Sequence, residues 1–282
     1  MYSRVKLILL LILFGNTCIK TFSQRNEFGG MIGASYYIGD INPKKHFIYS
    51  LPALGLIYRY NLNPRFAYRN NIFIGFIQAD DSKTLANKER NLSFRSYIGE
   101  LNASFEFNFF PYVTGHKKYF FSPYIFGGFV VFGFQPKTKY NGEWYNLQPL
   151  STEGQETTQF PDRKKYSLIS IGFPFGMGFK YSLSDALCFS IEWGMRKTDT
   201  DYIDDVSKTY ADSTILATEN SPLSAILADR STLENKKNHA NMQRGNSKNK
   251  DWYSFYGIIF TYKINKTNMC ASYKKSKPVF YY

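Results

Sequence analysis

The sequence predicts an all-β chain whose eight antiparallel strands run up and down and close into a transmembrane β-barrel. Three observations predict it. Aromatic residues make up 18% of the chain, with 26 Phe and 23 Tyr, while no apolar run is long enough for a membrane-spanning helix, which needs about 20 residues. Segment after segment alternates apolar with small or polar residues, the period of a strand with two unlike faces. And the links between these segments alternate in length, short then long, as they do in barrels with short turns at one rim and long loops at the other.

The first residues read as an export signal. Arg4 and Lys6 precede the apolar run Leu7 to Phe14, and a polar stretch ends in Thr21-Phe22-Ser23-Gln24. A basic start, a short apolar run and a small residue before the cut make a secretory signal peptide, expected to be cleaved after Ser23. Lipidation at Cys18 is disfavoured, because Gly15 stands where an acylation site carries an aliphatic residue. The predicted organisation is therefore a signal peptide over 1–23, a barrel over 24–266 and a tail over 267–282.

The eight strands are predicted at about 26–39, 50–60, 65–79, 93–110, 119–135, 166–182, 185–199 and 251–265. The seventh shows the pattern best. Leu187, Phe189, Ile191, Trp193 and Met195 alternate with Cys188, Ser190, Glu192, Gly194 and Arg196. In a barrel the apolar set meets lipid and the polar set faces the lumen. The fourth repeats it, with Leu101, Ala103, Phe105, Phe107 and Phe109 against Glu100, Asn102, Ser104, Glu106 and Asn108. Strands this long suit the 9–11 residues a tilted strand needs to cross a bilayer.

The links after strands two, four and six are short: Asn61-Leu62-Asn63-Pro64, the stretch 111–118, and Leu183-Ser184. The others are longer and polar. An open strand edge is not tolerated in lipid, so the first strand is expected to pair with the last. Tyr36, Tyr58, Tyr60, Trp193, Trp252 and Tyr262 fall near the expected membrane interfaces, the depth that Tyr and Trp favour. The longest link, 200–250, is read as a short helix over 221–233 followed by a basic, apolar-poor, mobile stretch from Glu234 to Lys250.

Alternation turns Arg59, Arg69, Lys180 and Arg196 inward together with Glu27, Glu100, Glu106 and Glu192. An eight-stranded barrel is about wide enough to be filled by side chains, and buried charges are tolerated only when paired. The prediction is a plugged, ion-paired interior rather than a pore.

No catalytic or cofactor chemistry is expected. His46, His116 and His239 all fall in loops without a spaced nucleophile or acid, no Cys/His spacing fits a metal, and Gly127-Gly128 and Gly172-x-x-x-Gly176-x-Gly178 lie inside strands, where glycine permits close approach. The formal net charge of +13 points, in an exported protein, either to an anionic lipid or lipopolysaccharide surface or a partner protein, and not to nucleic acid, or simply to the solubility of the loops that carry much of it. Cys188 near the start of strand seven and Cys270 beyond strand eight are either close enough to pair, within about 7 Å between Cα atoms, or Cys270 is free to bond a partner.

The opening Glu27-Phe-Gly-Gly-Met-Ile-Gly-Ala-Ser-Tyr-Tyr-Ile-Gly-Asp-Ile-Asn-Pro43 resembles the first strand of the PorG family of outer-membrane barrels. The end, Asp251-Trp-Tyr-Ser-Phe-Tyr-Gly-Ile-Ile-Phe-Thr-Tyr-Lys263 with a Cys shortly after, is similar to that family's last strand. The resemblance departs at Ala271, where the family carries Pro. It implies a non-enzymatic component of the type IX protein secretion and gliding machinery, anchoring a periplasmic ring of partner lipoproteins at the outer membrane. The tail is the surface such a partner would touch, through Cys270, Tyr273, Lys274, Lys275 and Phe280. A small channel, a surface adhesin and a lipid-modifying barrel served by loops 136–165 and 200–250 are the alternatives.

Overall fold

A computed structural model describes residues 26–83, 87–231 and 239–264. The predicted signal peptide and the tail with Cys270, Tyr273, Lys274, Lys275 and Phe280 lie outside the described residues.

Among the described residues nine strands form: β1 (Asn26–Ile38), β2 (Leu51–Asn61), β3 (Phe66–Asp80), β4 (Ser93–Asn108), β5 (Phe121–Tyr140), β6 (Glu143–Asn146), β7 (Ile169–Ser182), β8 (Leu187–Thr198) and β9 (Trp252–Ile264). Eight of them make the barrel. Each pairs antiparallel with its neighbour in the order β1, β2, β3, β4, β5, β7, β8, β9, and the ring closes as β9 pairs with β1 from Asn26↔Ile264 to Ile38↔Trp252. Closure removes every free edge from the ring, which is what allows a sheet to stand in lipid.

The alternation works as the chemistry requires. Along β4, Phe94, Ser96, Ile98, Glu100, Asn102, Ser104 and Glu106 are buried inside, while Leu101 and Phe105 point out. The outer wall is apolar: Phe129 is 69% exposed, Ile32 69% and Ile169 66%. So large a continuous apolar surface is not stable in water, and it forms the belt of a membrane barrel.

Three features depart from the sequence reading. First, β5 does not stop at 135. It runs on to Tyr140, turns through Asn141 and Gly142, both at positive φ (49° and 89°), and returns as β6 with Lys139 opposite Trp144. Asn-Gly with both residues left-handed is the two-residue turn that matches strand twist. That dipeptide was the available signal within the predicted loop 136–165.

Second, the link after β4 is short but not a mere turn. It folds under the barrel, placing Tyr112 and Thr114 inside. Gly115, at φ +85°, donates its N–H to Ser182 Oγ at 2.7 Å, and a Cβ there would come 2.3 Å from the Asp185 carbonyl oxygen.

Third, segment 200–250 is folded rather than mobile wherever it is described. A helix spans Pro222–Ala228, capped by Ser221 Oγ, which accepts from Ser224 N at 3.1 Å. It is shorter than the predicted 221–233. Residues 239–250 are held by backbone pairing, with Tyr210 N donating to Met242 O at 3.0 Å and Arg244 N to Lys208 O at 2.8 Å. Ile203, Val206 and Leu227 join one apolar core with Phe73, Ile98, Phe132 and Phe255 of the upper lumen. Composition suggested mobility because few of these residues are apolar. Their order comes instead from buried polar contacts, which hydropathy does not register.

Candidate functional site

The polar interior and its two lids are where the chain departs most from a simple wall of strands. At the short-turn end, Glu27 on β1 is ringed by partners. Arg59 Nη1 donates to its Oε2 at 2.8 Å, Thr261 Oγ1 to Oε2 at 2.9 Å, Asn61 to Oε1 at 3.0 Å and Thr114 to Oε1 at 2.6 Å. Arg59 Nε also reaches Glu106 at 3.3 Å, and Lys180 pairs with the other oxygen of Glu106. Lys263 donates to the Thr114 carbonyl at 2.7 Å. The link after β4 is thus tied from both sides and stoppers this end.

Half-way up, Arg69 Nη2 donates to Glu192 Oε1 at 2.9 Å, Tyr124 donates to Glu192 Oε2 at 2.7 Å, and the Arg69 guanidinium lies 4.2 Å over the Phe126 ring. Above it, Arg196 meets Glu100 through Nη2 at 2.8 Å and Nε at 3.0 Å, Tyr253 donates to Glu100 at 2.8 Å, and Phe255 stacks on the guanidinium at 4.9 Å. The inward set read from the alternation falls into two clusters: Glu27, Arg59, Glu106, Lys180, Arg69 and Glu192 are linked in one chain of ion pairs, and Arg196 with Glu100 forms a second above it. Four anions face four cations in these pairs, and Lys263 adds a further buried cation at the short-turn end. β1, β2, β3 and β7 supply one of the paired charges each and β4 and β8 two each, while β5 supplies Tyr124 and β9 supplies Tyr253, Thr261 and Lys263. The two clusters therefore fasten walls that lie far apart in sequence.

The long-loop lid has a different electrostatic character. Glu153 accepts from Ser207 N at 2.8 Å, Lys208 N at 3.0 Å and Arg244 Nη1 at 3.2 Å. Tyr37 OH lies 2.6 Å from Asp204 Oδ2 and 2.8 Å from Asp251 Oδ1. One hydroxyl has one proton, so at most one of these carboxylates can accept from it; the other must bring a proton of its own. Burial pushes both carboxyls well up, and the neighbouring acids push further: Asp40 on Asp204, Asp204 and Asp201 on Asp251. Asp201 is pushed up to about 7 and Asp205 to about 6, each mainly by burial.

The three histidines have separate surroundings. His46 Nδ1 is 3.0 Å from Tyr36 OH, His116 Nδ1 accepts from Lys118 N and Tyr119 N, and His239 Nδ1 is 2.5 Å from Asp229 Oδ2. The Asp229–His239 contact is one that sequence spacing did not reveal. Burial raises the Asp229 carboxyl, but hydrogen bonds from His239 and Ser231 outweigh it and hold the group low. No group of three or more His, Cys, Asp or Glu suited to a metal occurs among the described residues. Cys188 is buried in the lumen with Ser190 Oγ at 3.7 Å; Cys270 lies outside the described residues.

On the outer wall, the link after β1 bends back over the barrel. Phe47 packs on Tyr36 and Tyr256 at 5.1 and 5.2 Å between ring centres, and Trp193 Nε1 donates to Tyr36 OH at 2.9 Å. Tyr36 points outward, yet it is fully buried.

A family model described as a domain of unknown function (DUF6089) matches residues 4–221, and the chain belongs to that family. No curated protein matches the sequence. Among solved structures, the chain is similar in fold to Ail, the attachment invasion locus protein of Yersinia pestis, solved with the heparin analogue sucrose octasulfate (TM-score 0.41, 8% identity, 86% of this chain and 100% of that one). It is also similar to Neisserial surface protein A (0.40, 7%, 85% and 97%) and to the outer membrane protein OprG of Pseudomonas aeruginosa (0.39, 12%, 86% and 98%).

Proposed function

We propose that this member of the DUF6089 family is a non-conducting, non-enzymatic outer-membrane barrel that anchors a periplasmic assembly of the type IX secretion machinery. The observation that carries the reading is the interior. Crossed by ion pairs between four acids and four bases, stoppered by Tyr112 and Thr114 below and sealed by the apolar core under Ile203 and Leu227 above, it is built to hold a shape. A barrel whose lumen is filled works through its two faces. The sequence resemblance at both ends of the chain supports the secretion setting, with an exported, cleaved precursor and periplasmic ring lipoproteins as partners. The short-turn face and the tail 267–282, with Cys270, Tyr273, Lys274, Lys275 and Phe280, are the proposed docking surface.

The test is affinity capture from native outer membranes of the full chain and of a chain ending at 266. Periplasmic lipoproteins recovered with the first and lost with the second support the anchor. Full recovery with both removes the tail from the reading, and recovery of the barrel alone removes the anchor.

A second reading rests on the ordered long-loop lid. A folded, polar outer face suits a surface receptor or adhesin, and removal of 211–231 with loss of cell binding but retained capture of lipoproteins would favour it.

A further inference from the structure

On the outer wall at the long-loop rim, β4, β5 and the turn after β3 gather cations where a membrane barrel meets lipid headgroups. Arg95 on β4 and Lys137 on β5 are directly opposite one another, both on the outward face. Like charges in that position repel and weaken a sheet. Lys139 follows two residues further on β5, opposite Trp144, and Lys83 comes in beyond the end of β3. A recess of about 200 Å³ lies among Lys83, Arg95, Lys139, Trp144 and Tyr49. Its one lining acid is Asp80, whose Oδ1 accepts from Ser82 N and Ser82 Oγ at 2.9 and 2.6 Å and whose single charge offsets only part of the field of the three lining cations. Among the described residues no carboxylate lies within ion-pair distance of Lys83, Arg95, Lys137 or Lys139.

The lower border of this cluster is apolar. Gln78 is opposite Arg95, and two residues down the same strands Phe76 is opposite Tyr97, both pointing out and exposed. The Arg95 guanidinium lies 5.2 Å over the Phe76 ring. Below them Ile74 and Leu101 continue the lipid belt. A cation cluster bordered on one side by an apolar belt matches a ligand with a negative head and hydrocarbon chains.

We propose that this rim is a binding site for the phosphate headgroup of a membrane lipid in the leaflet at the long-loop end. Lys83, Arg95 and Lys139 surround the phosphate, Lys137 adds to the field, and the acyl chains run down Phe76, Tyr97 and Ile74. The unfavourable Arg95–Lys137 juxtaposition then has a use: the ligand supplies the counter-charge that no ion pair within the protein gives these two cations. The proposal rests on the membrane-barrel reading and adds to it a ligand class and its residues.

The test uses the full chain in maltoside micelles, which contain no phosphate. Retention of diphosphoryl lipid A and of dephosphorylated lipid A is compared by native mass spectrometry. The diphosphoryl form is expected to be retained and the dephosphorylated form lost. In Lys83→Gln, Arg95→Gln and Lys139→Gln, singly and together, retention is expected to fall about fivefold per cation removed, the equivalent of about 1 kcal/mol each. Lys117→Gln/Lys118→Gln, at the other rim, is expected to change nothing. Lys137→Gln gives a readout that a structural role alone would not: the variant melts higher than the parent without lipid, and gains less from adding lipid A. Equal retention of both lipids, or equal loss from the Lys117/Lys118 control, overturns the proposal. So does displacement of the lipid by millimolar inorganic phosphate, which would make the site one for the free ion. Heat-modifiable migration reports the barrel separately, so a folded barrel without phosphate dependence sinks this site and leaves the barrel standing.

Discussion

Arg196 and Glu100 face each other inside the barrel from β8 and β4, joined at 2.8 and 3.0 Å, both without exposure of their charged groups. β8 and β4 are not neighbours in the sheet; the pair spans the lumen. Each charge is tolerable only because the other is there. Replacing Arg196 by Met is expected to destabilise the barrel by about 3–5 kcal/mol, since Glu100 is then buried and unpaired. The double change Arg196→Met/Glu100→Met is expected to recover most of that loss. Urea unfolding in micelles, followed by heat-modifiable migration, closes the cycle; equal additive losses would show that the pair is not coupled.

The lid responds to pH with a definite sign. Asp201 and Asp205 hold protons to about 7 and about 6 in the folded lid, against about 4 for an unfolded carboxyl. The folded state therefore binds more protons, and its stability falls as pH rises. The lid is expected to be firmest near about pH 4, since Asp229, held low by His239 and Ser231, gives up its contribution in stronger acid, and to lose stability between about pH 4 and 7. Proteolysis of segment 200–250, normalised to an unfolded peptide of the same sequence, should accelerate across that window. Asp204→Asn, which removes one acid from beside Tyr37 and Asp251, should slow cleavage at pH 8. A rate that falls with rising pH would contradict the assignment.

Tyr36 ties the outer flap to the wall. Its hydroxyl accepts from Trp193 Nε1 at 2.9 Å and lies 3.0 Å from His46 Nδ1. Tyr36→Phe leaves a largely covered indole N–H without its acceptor, a cost of about 1–3 kcal/mol. The expected result is a lower melting temperature in micelles with the barrel still closed. An unchanged melting temperature would mean that water replaces the hydroxyl freely.

The ring of strands was legible because its signal is periodic. In β8 every second residue is apolar, and a slip of one residue would turn Glu192 and Arg196 into lipid, so the register has no near competitor. The same alternation places the inward charges on one face, but it is silent on who meets whom. Arg69 finds Glu192 across 123 residues, a pairing fixed by barrel diameter and strand tilt rather than by any local pattern. The lids were less legible still. Tyr112 and Thr114 occupy a short link whose composition gives no hint that it folds inward. Arg244 in the basic stretch looked solvated, yet it is buried against Glu153 and Asp205, acids some 40 to 90 positions away. The Asn141-Gly142 turn was a readable local signal, obscured by the polar residues around it.

The central claim is that the interior is a solid, ion-paired core and conducts nothing. Single-channel recording of the purified full chain in a planar bilayer tests it most directly. The account predicts a silent membrane under applied voltage, with insertion verified by protease access to the long-loop lid. Discrete, reproducible conductance steps that scale with salt would contradict it, and would return the lumen charges from fasteners to the lining of a pore.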